Sequence, residues 1–136
     1  MSQDLKAELK DRTDTIEEAF EFMMAYAAQG RDQEDPSEGG GIRSWLAKAA
    51  AALEYFYQLA QDQAKSTGSI EVEEWTEFLE ILKTDAARAQ ALIAFAQSQP
   101  SLSSELIDNL NGTNHIRTIL TDIFLLDSAF EAHDRT

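Results

Sequence analysis

Trp75, Leu79, Leu82, Ala86, Ala89, Ile93 and Ala96 follow one another at alternating spacings of four and three residues. That alternation averages one helical turn, so all of them fall on a single helical face. A strand, whose side chains change face at every residue, cannot gather them. The run predicts a helix over residues 70–97, closed by Pro100. Lys83-Thr84-Asp85 is the one place inside it where a new helix could begin.

The rest of the chain repeats the pattern. Leu9, Ile16, Phe20, Met23 and Ala27 predict a helix over 3–29 that ends at Gly30. Ile42, Leu46, Ala49, Leu53, Phe56 and Ala60 predict one over 42–65, with Gly68 as its stop. A short helix over 103–110 leads to Asn111-Gly112, and a last helix over 114–132 turns Ile116, Leu120, Ile123 and Phe130 inward. The expected fold is all-α: an antiparallel bundle of four long helices plus one short helix, in a single domain over residues 1–136. Residues 31–41, acidic and ending in Gly39-Gly40-Gly41, are read as a flexible loop. Asp127 falls in the middle of the last inward stripe. A carboxylate there calls for a partner such as Arg12, Lys48 or Arg88, and it is the acid expected to titrate abnormally.

Charge narrows the partners. There are 25 acidic residues against 11 basic ones, a net of −14. Nucleic acids and anionic membranes bind chiefly through Lys and Arg, so both are excluded as partners. A basic protein surface is the compatible one. The absence of cysteine removes disulfides and thiol nucleophiles. The first residues carry acids and no apolar core of a signal peptide, and no stretch reaches the length of a membrane span. The expectation is a cytoplasmic protein.

Gln63-Ala-Lys-Ser-Thr-Gly-Ser-Ile-Glu-Val-Glu-Glu74, continuing into Trp75 and Phe78, resembles the outgoing half of a calcium-binding helix–loop–helix. The resemblance places Gly68 at the loop's glycine, Ile70 at its branched apolar position and Glu74 at its closing glutamate. It departs at the ligands. Gln63, Lys65 and Thr67 stand where carboxylates are required, and Lys65 would point a cation at the ion. A helix stop at Gly68, a Ser69 cap and acids at the next helix's positive end account for the same letters. No metal and no cofactor are expected.

Other chemistry finds little footing. His115 and His133 lack partners at metal-ligand spacing, and no nucleophile–base set is legible. The triple glycine has acids beside it and no following lysine, so it does not read as a phosphate cradle. Glu73, Glu77 and Glu80 fall within about 60° of one another, opposite the Trp75–Leu82 stripe, and read as a solvated face. Glu18 and Glu21 are set aside less firmly, since Glu18 flanks the core side of its helix. No catalytic residue is expected.

Several large apolar residues lie off the main stripes: Phe22, Tyr26, Tyr55, Leu59 and Leu125. They are either a second core face or a partner surface rimmed by Glu73, Glu77 and Glu80. The function read from this is a small acidic, non-enzymatic protein that binds a protein partner with a basic surface, of adaptor, chaperone or inhibitor type. Homodimer formation is expected too. Two alternatives stand beside it: a nucleic-acid mimic that blocks a basic groove with its glutamate row, and a small all-α hydrolase with carboxylate-bound magnesium.

Overall fold

The spacing that starts at Trp75 becomes one unbroken helix. The structure, a computed structural model, describes residues 2–35 and 41–134. Its helices are α1 (Ser2–Ala27), α2 (Ile42–Leu53), α3 (Phe56–Thr67), α4 (Glu73–Gln97), α5 (Ser104–Asn111) and α6 (Asn114–Asp134). The fold is all-α. Residues 36–40 of the expected loop lie outside the described residues.

Specific contacts fix how neighbours run. Phe22 stacks on Trp45, and Arg12 reaches the carbonyls of Ala51 and Glu54, so α1 and α2 are antiparallel. Arg43 bonds the carbonyl of Gln97 while Gln90 reaches that of Ala50, which makes α2 and α4 antiparallel as well. Trp75 stacks on Phe130, and Asp85 meets Asp122, so α6 runs back along α4. Leu46, Leu53, Phe56, Leu82, Ile93 and Ile119 are among the side chains sealed in the shared core. Burying a side chain of that size contributes about 1.5–3 kcal/mol.

Three expectations need correction. The helix expected over 42–65 is two helices, broken at Glu54 and Tyr55. Tyr55 takes the left-handed backbone at φ 62°, which turns the chain between α2 and α3. The freed end of α2 is held by Arg12, whose Nη1 donates to the carbonyls of Ala51, Ala52 and Glu54 at 3.0, 3.3 and 2.5 Å. A cation at a helix C-terminus also meets the negative end of its dipole. Leu53 and Phe56 stay buried on either side of the bend, which is why their spacing alone did not reveal it.

The start of α4 differs too. Ser69–Glu71 form a single 3-10 turn, and Val72 rather than Ser69 precedes the helix, with no side-chain cap. Gly68 does hold the left-handed conformation at φ 80° that ends α3. Finally, α6 buries Ile116, Ile123 and Phe130 as expected but is rotated toward the neighbouring stripe. Ile119, Asp122 and Leu126 are buried on it, Leu120 is half-buried, and Asp127 is exposed.

At the other end of the molecule Arg43 acts as a clasp. Its Nε donates to both carboxylate oxygens of Glu34, and its Nη1 and Nη2 donate to the carbonyls of Gln97 and Gln99 at 2.8 and 2.7 Å. Glu34 in turn accepts from the Leu102 amide. One ion pair thus ties the chain after α1 to the end of α4 and the approach to α5.

Two substitutions test the bend. Arg12→Met removes a charged donor from three carbonyls and is expected to lower unfolding stability by about 1.5–3 kcal/mol in urea. Tyr55→Gly relieves the left-handed backbone at little loss of packing, and is expected to raise stability by about 0.5–1 kcal/mol in the same assay.

Candidate functional site: a buried acid pair in the α4–α6 seam

The off-stripe residues do not converge on one surface. Tyr26 is 2% exposed and donates its hydroxyl to the Leu102 carbonyl at 2.5 Å, so it belongs to the interior. Phe22 is half-buried with its ring 5.5 Å from that of Trp45. Leu59 is half-buried and packs against the core. Tyr55, 68% exposed, stands on the outside of the α2–α3 bend, and Leu125 is 58% exposed on α6. Glu73, Glu77 and Glu80 are exposed along α4.

The calcium-like letters do not converge either. Gln63 is buried at the side of α3, whereas Glu71 and Glu74 are exposed beyond the turn. Among the described residues no three or more His, Cys, Asp or Glu side chains gather as a metal-binding group. His115 and His133 are both exposed.

What the structure brings together instead is Asp85 of α4 and Asp122 of α6. Each is 9% exposed, and their side chains are hydrogen-bonded to each other. Two carboxylates in such contact repel, so the pair is favoured when it keeps one proton. Burial, with the Asp85 hydrogen bond and the Asp85 charge adding to it, pushes the Asp122 carboxyl up to about 7. Its Oδ2 is enclosed and meets no hydrogen-bond donor from the protein.

None of the cations expected beside a buried acid is there. Arg12 is occupied by Glu8 and the end of α2, and the Lys48 ammonium lies 4.1 Å over the Trp45 ring. Arg88, one turn along α4 from Asp85, is exposed and has no ion-pair partner among the described residues.

The surroundings are apolar. The register set by Trp75 on Phe130 and Asp85 on Asp122 brings Ile81 of α4 level with Leu125 of α6. At about 100° per residue both point to the outer side of the seam, next to the acid pair. Ile81 is 53% exposed, so two large apolar side chains stand open beside a buried acid. Glu74 and Glu77 are exposed on the same side of α4 and add negative charge to its rim.

Sequence reasoning placed the unusual acid at Asp127 and missed this pair. The available signal was Asp85 itself, three residues after Leu82 and four before Ala89, at the flank of the most regular stripe of the chain.

The pair makes stability depend on pH. Asp122 holds its proton up to about 7 in the folded state and releases it near 4 when unfolded. The folded state therefore binds more protons between those values, and this contribution is full below pH 4 and lost as pH rises through 7. Asp122→Asn is expected to match the wild type near pH 4 and to exceed it by about 1–3 kcal/mol at pH 8, measured by denaturant melts across that range. Parallel pH profiles for the two proteins would contradict the raised Asp122 carboxyl.

No known protein family, curated protein or solved structure matches this chain.

Proposed function

We propose that this protein is a non-catalytic binding protein that docks a basic segment of a protein partner on the outer seam of α4 and α6. In this reading an arginine of the partner enters between Ile81 and Leu125 and pairs with Asp85 and Asp122. The observation that carries it is the enclosed acid pair with an unpartnered oxygen, flanked by two exposed apolar side chains.

Charge and shape both support a cationic guest. The chain carries a net charge of −14, so a basic segment is drawn toward it from solution. A guanidinium carries a planar fork of donors matched to carboxylate oxygens, and its stem packs well between aliphatic side chains. Anchors of this kind, seated among apolar neighbours that exclude water, supply most of the energy in many interfaces. A symmetric homodimer through the same seam would set one acid pair against the other, which favours a different partner for this face.

The test is direct. Fluorescence anisotropy would follow helical peptides that carry Leu, Arg and Leu at spacings of three or four, alongside copies with citrulline in place of Arg. The Arg peptide is expected to bind, and citrulline, the Asp85→Asn/Asp122→Asn double variant and Leu125→Asp are each expected to weaken it about tenfold or more. Affinity should also fall as salt rises from 50 to 300 mM, these concentrations being about those at which screening of surface charge becomes strong. Equal binding of the citrulline peptide, or an unaffected double variant, would contradict the assignment. Sedimentation of the free protein reads the homodimer expectation separately.

A further inference from the structure

A second recess lies on the other side of α6 and is unrelated to the seam. Helix α6 packs on α4 and α5, while α1 and α3 pack on each other and barely touch it. The resulting cleft has a volume of about 590 Å³, within the usual range for small-molecule sites. Its floor is apolar: Leu9 of α1, Phe56 of α3, and Ile123, Leu126 and Phe130 of α6. Phe130 is held in place from behind by its stack on Trp75, at 5.1 Å between rings. An ion pair between Lys6 and Asp134 joins the two walls at the rim.

One polar group interrupts that floor. Gln63 of α3 lines the cleft, is 3% exposed, and its Oε1 meets no donor from the protein. A buried amide oxygen left in this condition costs folding free energy, because it has given up its water without gaining a donor. An apolar side chain at position 63 would avoid that cost, since Phe56 and Ala60 on the same face are fully apolar.

The geometry points to a binding site for a neutral, mostly apolar small molecule with one O–H or N–H donor, seated between α1, α3 and α6 with that donor on Gln63 Oε1. The floor takes the apolar body and Gln63 sets its orientation. A charged group is excluded from the depth, because no opposite charge lines the floor and an isolated ion there is strongly disfavoured. Polar substituents face the rim, where Lys10, Asp127 and Glu131 are exposed.

The experiment compares 1-naphthol with 1-methoxynaphthalene, which has the same ring system but no donor. Isothermal titration and the side-chain amide resonance of Gln63 report on binding to the full chain. Saturable binding of 1-naphthol is expected, about tenfold tighter than the ether, with the Gln63 resonance shifting. Gln63→Leu is expected to erase that preference while still binding the ether, and Leu126→Trp, which fills the cleft, to abolish both. Circular dichroism checks that each variant is folded. The comparison of the two probes on the wild-type protein stands even if a variant does not fold. Equal affinity for both probes, or no saturable binding of either, would overturn the assignment.

Discussion

Two carboxyl groups in hydrogen-bonding contact inside a helix seam cannot both be ionised cheaply. Asp122 meets that constraint by holding its proton up to about 7, so that α6 can close on α4 beside Asp85 without two full charges facing each other. With the pair neutralised in part, Trp75 can stack on Phe130 and the two helices can close along their length. With both charges present, the same seam would hold uncompensated repulsion in a place that water hardly reaches. The acid pair is therefore both a contact that sets register and the weak point of the interface it sets.

The basic residues explain why no cation relieves it. Arg12 and Arg43 are spent on exposed carbonyls at the ends of α2 and α4. Lys6 and Lys10 pair with Asp134 and Asp14, and Lys48 and Lys83 lie over the rings of Trp45 and Tyr57. In a chain with far more acids than bases, these assignments keep six cations away from the buried carboxyls, and Arg88 stands exposed rather than on the pair. That shortage is what makes an external guanidinium a physically sensible guest.

Much of the helical plan was legible because apolar spacing reports burial directly. The 4–3 run in α4 translated into one helix, and the glycines at 30 and 68 marked turns with positive φ. The bend at Tyr55 was hidden because Leu53 and Phe56 keep the period across it, and because the device that holds it, Arg12, comes from a different helix. The setting of α6 was misread for a related reason. Its apolar residues are abundant enough to define two overlapping stripes, and only the partner face of α4 chooses between them. That choice exposed Asp127 and buried Asp122. The off-stripe aromatics divided in the same way: Tyr26 was claimed by a hydrogen bond to Leu102, a residue distant in sequence, while Tyr55 was left outside.

Carboxyl 13C resonances, followed by NMR across the pH range from 3 to 9 or so, read the state of the acid pair at its own atoms. The account requires the Asp122 carboxyl to titrate near 7. An Asp122 midpoint near 4, the value of an ordinary solvated aspartate, would mean that burial beside Asp85 does not hold its proton and that the seam is not built around it.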